Sequence, residues 1–353
     1  TTVSIHPVHT LEVRSTMHRF STLTFAICIL AACSTVAGAK PLKLHNIFSS
    51  HMVIQRDKPI KIWGWAKPGE TVTVKLGEET AEVVVQPAAH VEVFGHEEEY
   101  KGLGRWEVSL PAREVSTDPI TLTVSAGDQK VTLEDILIGD VWVMSGQSNM
   151  AFPLGKVHGG DMEAVQAHLP MLRLFSIQGT EQATLQDDIR SETITTGSWV
   201  VSSPETAREF SAIGYVFGST VQRALQIPIG VIKNARGGAS IESMVPAHKF
   251  DEDPLAKRYA DYIRQRMAEF DPEAEADSMW EAAKARAKRK NLPEPERPDP
   301  QNLRSWNVPG KSPSDMASVH HGMFGAFKGF NIKVVLFQHG FNKTLSDKCR
   351  PKR

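Results

Sequence analysis

Between Pro41 and Glu134 apolar and polar side chains take turns along the chain. Ile60-Lys61-Ile62-Trp63-Gly64-Trp65 alternates, a Pro68-Gly69 turn signal follows, and Thr71-Val72-Thr73-Val74-Lys75-Leu76 alternates again. A period of two places one face of a strand against a core and the other in water. Further short strands are expected over 81–85, 105–110 and 120–124. Several such strands with turns between them predict a small β-sandwich over residues 40–135.

The pattern changes at Ile136. Ile136-Leu137-Ile138-Gly139-Asp140-Val141-Trp142-Val143-Met144 is nearly continuous apolar sequence, the signature of a strand buried on both faces. Ile227-Pro228-Ile229-Gly230-Val231-Ile232 and Asn331-Ile332-Lys333-Val334-Val335-Leu336-Phe337 read as a second and a third. Between the first two, Ser211 can cap a helix in which Ile213, Val216, Phe217, Val221, Ala224 and Leu225 recur at three- and four-residue steps. Buried strands separated by helices predict an α/β domain with a parallel sheet over 136–353.

A helical insertion interrupts that domain at about 248–312. Asp253-Pro254 and Asp271-Pro272 each pair an N-cap with a first-turn proline. Leu255, Tyr259, Tyr262, Ile263, Met267 and Phe270 share one face of the first helix. The second helix ends basic, at 284–290, which suits the helix dipole, and a proline-rich stretch at 293–298 reads as a surface loop.

Charge adds an exclusion. With 40 basic and 41 acidic side chains the chain has no global pull toward nucleic acid or anionic lipid, so the basic helix end reads as a solvated one and no nucleic-acid partner is expected. Residues 1–39 look like an upstream extension and a signal peptide: Met17-His18-Arg19-Phe20, an apolar stretch at 23–33, and Ala37-Gly38-Ala39 as a cleavage signature. Leu30-Ala31-Ala32-Cys33 also fits a lipoprotein box, with Cys33 as the lipidated residue, so both a soluble exported form and a lipid-anchored one stand. Either way the expected location is periplasmic or extracellular. Cys28 and Cys33 fall in this segment, and Cys349 alone would remain after cleavage, which fits an exported chain without disulfides. No C-x-x-C or H-E-x-x-H spacing points to a metal.

Candidate chemistry gathers where the three buried strands end, since ligands of parallel α/β sheets bind beyond the carboxyl ends of the strands. The ends read Ser145-Gly146-Gln147-Ser148-Asn149-Met150, Lys233-Asn234-Ala235-Arg236-Gly237-Gly238-Ala239-Ser240 and Gln338-His339-Gly340-Phe341-Asn342. A serine on a tight strand-to-helix turn presents its Oγ beside backbone N–H groups, glycines admit a carbonyl substrate close to the backbone, and an asparagine amide can donate to an oxyanion. Each element is equally compatible with a plain turn, and Ser145 competes with Ser148.

These residues carry a resemblance. Gly139-Asp140-Val141-Trp142-Val143-Met144-Ser145-Gly146-Gln147-Ser148-Asn149-Met150 resembles the nucleophile block of sialate O-acetylesterases and related SGNH-type carbohydrate acetylesterases. Phe210-Ser211-Ala212-Ile213-Gly214-Tyr215, Gly237-Gly238-Ala239-Ser240-Ile241-Glu242 and, near the start, Phe48-Ser49-Ser50-His51-Met52-Val53 are similar to that family as well. The resemblance implies an SGNH-hydrolase-like parallel sheet domain behind a small β-sandwich. It implies Ser148 as nucleophile, an oxyanion hole of the Ser148 N–H, the Gly238 N–H (preferred over Gly237) and the Asn342 side chain, no cofactor, and an acetylated sugar or sialoglycan as substrate. Gln147 and Asn149 would position substrate or brace the turn, and Glu242 would cap or pack.

The chain also departs from the family's pattern. In Phe337-Gln338-His339-Gly340-Phe341-Asn342 the Gln and His stand as if exchanged, and Val334 sits where a glycine is usual. The family's general base lies in a late Asp-x-x-His segment, yet eleven residues follow Asn342 and no Asp in the chain is followed three residues later by His. The sheet domain is therefore expected to be incomplete at its C-terminus, with apolar surface exposed. His339 is the best-placed substitute base, ahead of His158, His248, His320 and His321. A non-catalytic glycan-binding remnant is the alternative to an active esterase.

Overall fold

The computed structural model describes residues 42–87, 90–189 and 197–340. The expected leader with Cys28 and Cys33, and Asn342 and Cys349 at the other end, lie outside these described residues.

Alternation builds the sandwich. One sheet joins β1 (Lys43–Leu44), β3 (Ile60–Ala66) and β6 (Gly104–Leu110), all antiparallel. Facing it is an antiparallel run of β5 (Glu79–Val84), β4 (Thr71–Leu76), β7 (Ser116–Ala126) and the first half of β8 (Gln129–Gly146). Along β6 burial strictly alternates, as period two requires. The inward residues Ile62, Val72, Val74, Leu76, Leu122 and Val124 are wholly buried in one core cluster. Each such side chain contributes about 1.5–3 kcal/mol of transfer free energy.

β8 does not stop at the sandwich. It pairs with β7 from Gln129 to Ile138, with the short parallel β2 (Val53–Gln55) over Leu137–Gly139, and then with β11 (Ile229–Ala235) and β12 (Val334–Gln338) on its two sides. The expected boundary at 135/136 therefore falls inside one strand. A bulge marks the spot: Ile120 opposes Ile136 while Leu122 opposes Leu133, one extra residue on β8, and Asp135 takes a left-handed φ of 57°. Asp135 is held there by Arg173 at 2.6 and 3.1 Å and by His51 at 2.7 Å.

The second sheet region runs β10 (Trp199–Ser202), β9 (Leu169–Ser176), β11, β8, β12. β9, β11, β8 and β12 are parallel, and β10 is antiparallel to β9, so the sheet is mixed rather than purely parallel. The α/β architecture with a preceding small sheet is as the pattern predicts; β9 and β10 are additions to it.

Helices α1 (Glu97–Tyr100), α2 (Ser148–Ala151), α3 (Gly160–Val165), α4 (Pro204–Glu209) and α5 (Ala212–Leu225) precede β11. The Ser211 Oγ accepts from the Gly214 N–H at 3.0 Å, the expected cap of α5. The apolar residues of α5 divide between two faces. Gly214, Tyr215, Gly218, Ser219 and Gln222 are buried, whereas Ile213, Val216 and Leu225 are exposed. A Cβ on Gly218 would stand 2.7 Å from Val231 Cγ2, so this glycine lets the helix lie close on the sheet; Tyr215, Phe217 and Val221 pack into the core beside it, while Ile213, Val216 and Leu225 point away.

β12 is a correction. Among the described residues it pairs with β8 alone and is an edge strand, with Val334, Val335 and Phe337 more than two-fifths exposed, rather than a strand buried on both faces. After β11 come α6 (Ile241–Met244) and the insertion helices α7 (Pro254–Ala268) and α8 (Pro272–Lys290). Asp253 and Asp271 accept from backbone N–H groups of their first turns, as expected. Tyr259 and Ile263 enter a small core with Phe250 and Met316, while Leu255 and Met267 stay exposed. Among the described residues no helix is long and apolar enough to cross a membrane.

Candidate active site

The strand ends that carry the candidate residues do meet. At the end of β8, Gly146 takes a φ of 136°, and a Cβ there would stand 1.8 Å from the Gln338 carbonyl oxygen of β12. Only glycine permits that conformation and that approach. The chain then turns into α2, whose first residue is Ser148. Ser148 and Asn149 are exposed, while Gln147 and Met150 on either side are buried.

Gln147 ties the three ends together. Its Nε2 donates to the Ala239 carbonyl at 2.5 Å, and its Oε1 accepts from the Gly340 N–H at 2.9 Å. The Arg236 N–H donates to the Gly146 carbonyl at 3.0 Å. These bonds place Gly237 against the nucleophile turn: a Cβ on Gly237 would be 3.7 Å from Ser148 Cβ. Gly238 follows with a φ of 77°. Ser145, the competing serine, is buried with its Oγ lacking a hydrogen-bond partner among the described residues, so it faces no substrate. Glu242 is buried in the first turn of α6. Asn342 lies outside the described residues; Gly340, two positions earlier, is fixed by Gln147.

The histidines stand elsewhere. The His339 ring stacks on Phe337 at 5.9 Å and its Nε2 is 3.1 Å from the Ala239 carbonyl, which engages that nitrogen as a donor. His320 and His321 lie in a single π-helical turn, 5.9 Å apart. Burial, then the proximity of His321 and His248, pushes the His320 imidazole down to about 4. His158 and His248 are exposed. None of the described histidines hydrogen-bonds Ser148.

Two features had no sequence signal. Arg236 pairs with the buried Glu181, an ion pair that fixes the residue just before the glycines. And Trp306, from the helical insertion, lays its ring edge over Gly238: a Cβ there would be 3.0 Å from Cη2 and 3.4 Å from Cζ2.

Fold and site together define an α/β protein with an exposed serine on the turn after its central strand, braced by two glycine-bearing strand ends. Residues 138–276 match the family described as carbohydrate esterase, sialic acid-specific acetylesterase. It is similar to sialate O-acetylesterase from Mus musculus, 28% identical over 230 residues that cover 61% of this chain and 39% of the mouse protein. It is likewise similar to the Homo sapiens sialate O-acetylesterase, 28% identical over 212 residues, covering 56% of this chain and 38% of the human one. The chain thus spans about two-fifths of the length of these curated relatives. The crystal structure of a carbohydrate acetylesterase from Xanthomonas citri superposes with a TM-score of 0.60 at 21% identity, over 85% of this chain and 51% of that one, a likeness of fold.

Proposed function

We propose that this chain is a serine esterase that removes O-acetyl groups from sialic acid or a related acetylated sugar. Ser148 Oγ attacks the acetyl carbonyl, the sugar alcohol leaves, and water releases acetate from the acetyl-enzyme. The oxyanion is received by the Ser148 and Gly238 N–H groups and the Asn342 side chain. The observation that carries this reading is the clamp of Gln147 on Ala239 and Gly340, which holds all three strand ends around an exposed serine. The leader features in residues 1–39 support an exported, periplasmic or extracellular location, and the lipoprotein-box pattern at 30–33 supports Cys33 as a point of lipid anchorage.

A second reading has its own support. No described imidazole hydrogen-bonds Ser148, and the His339 Nε2 is engaged by the Ala239 carbonyl. On this reading the chain binds acetylated glycans and turns them over slowly or not at all. The test is acetate release from 4-nitrophenyl acetate by purified protein and by its Ser148→Ala variant. The esterase reading expects a loss of at least about 100-fold. Equal rates remove Ser148 from the chemistry and leave the binding reading.

A further inference from the structure

We propose that Trp306 is the sugar-stacking platform of this site, a substrate-positioning side chain supplied by the helical insertion. The inference rests on the reading of Ser148 as the centre of an acetylated-sugar site. Three observations support it. First, Trp306 is 50% exposed, although its ring edge lies 3.0 Å from the Cβ position over Gly238. One edge of the indole is therefore pinned while the rest of the ring faces solvent. Second, Gly237 abuts Ser148, and consecutive α-carbons are about 3.8 Å apart, so the ring stands one residue along the glycine turn from the nucleophile. Third, Ser305 and Val308, on either side of Trp306, line an open cleft of about 430 Å³ together with Phe94, Thr180, Leu303 and Lys311.

The backbone that carries the ring is also held in place. The Asn307 N–H donates to the Arg304 carbonyl at 2.9 Å and the Val308 N–H to the Ser305 carbonyl at 3.1 Å, closing a short 3₁₀ turn around Trp306. The left-handed φ of Gly238 and the indole above it both exclude a side chain at that position. A half-exposed aromatic face on a hydrogen-bonded turn, beside a nucleophile and a cleft large enough for a monosaccharide, is the geometry that orients a ring with one apolar face and a polar rim. The acetylated oxygen would reach Ser148 while the rest of the glycan occupies the cleft.

The test uses the full chain and two esters, the methyl glycoside of 9-O-acetyl-N-acetylneuraminic acid and 4-nitrophenyl acetate, with Trp306→Ala and Trp306→Phe. The ratio of kcat/KM for the glycoside to kcat/KM for the aryl ester is expected to fall about tenfold or more in Trp306→Ala and less in Trp306→Phe, which keeps a ring. Calorimetric titration of the glycoside into Ser148→Ala protein, with and without Trp306→Ala, is expected to show the same weakening in Kd. A ratio and a Kd that both stay within about twofold overturn the proposal, as does a Ser148→Ala protein that binds no glycoside. Absence of Ser148-dependent ester cleavage, with glycoside binding that still depends on Trp306, would sink the esterase reading and leave Trp306 as a sugar platform.

Discussion

The two halves of β8 run through different surroundings. In the sandwich, its neighbour β7 and the strands beyond turn Leu122, Val124, Val72 and Val74 toward an opposing sheet, and all are wholly buried. In the α/β region, α5 presents glycines and serine inward and Ile213, Val216 and Leu225 outward, and the edge strand β12 leaves Val334, Val335 and Phe337 exposed. The contrast shows that apolar periodicity reports that a face is sticky, not that it is covered. In the sandwich the partner face is present, so pattern and burial coincide. On α5 closeness to the sheet is set by the small residues, Phe217 and Val221 pack beside them, and Ile213, Val216 and Leu225 are left over.

Mutations can break this comparison in order of effect. Leu122→Ala should cost roughly 3–4 kcal/mol in urea unfolding, because the void lies between two sheets that cannot both close on it. Gly146→Ala, where the two halves meet the site, should cost on the order of 2–3 kcal/mol through its φ of 136° and the clash with the Gln338 carbonyl, and should abolish ester cleavage.

The seam between the halves has a pH signature of intermediate size. His45 and Asp188 are both fully buried, with Nε2 and Oδ1 3.2 Å apart. Burial pushes the His45 imidazole down from 6.5 to about 3, against the bond to the Ala326 carbonyl. Burial lifts the Asp188 carboxyl from 3.8 to about 7, against bonds from the Asn46 N–H, the Tyr100 hydroxyl and the Ile189 N–H. A depressed histidine contributes stability that is present above 6.5 and lost as pH falls toward 3. A raised carboxyl contributes stability that is present below 3.8 and lost as pH rises through 7. Between 3.8 and 6.5 the two oppose each other and leave a shallow profile. In Asp188→Asn only the histidine remains, so urea midpoints should fall steadily as the pH is lowered from 7 to about 5. A variant as flat as the wild type would contradict the assignment.

The smallest effect belongs to the outer face of α5. Val216→Lys should change stability by less than about 0.5 kcal/mol, since the residue is 48% exposed, but it should lower the binding of an apolar fluorescent dye to the native protein. A large destabilisation there would mean that the face is covered after all.

The sandwich strands and the Ser148 turn were legible because their signals are local: alternation at 60–65 and 71–76, and a run of identifiable residues at 139–150. β9 was harder to read because Arg173 interrupts its apolar run. That arginine is buried at 4% exposure only because Asp135, far away in sequence, takes its charge. The exposure of Ile213, Val216 and Leu225 was not legible because Gly214 and Gly218 carry no hydropathic signal although their size decides the packing. Gln147 reads as a turn residue until Ala239 and Gly340 are seen on its two ends. Trp306 could not be read at all, since nothing in a proline-rich insertion says that it returns to a glycine almost seventy residues earlier.

The continuity of β8 makes the sandwich a length gauge for the reacting serine. Each residue of an extended strand advances the chain by about 3.3 Å and turns its side chain to the opposite face. The bulge at Asp135 sets the odd–even count between the hairpin at Gly127-Asp128 and the turn at Gly146. Deleting Asp135 would leave each half with a plausible strand of its own, yet the count would be off by one. Either the hairpin or Ser148 would then have to face the wrong way.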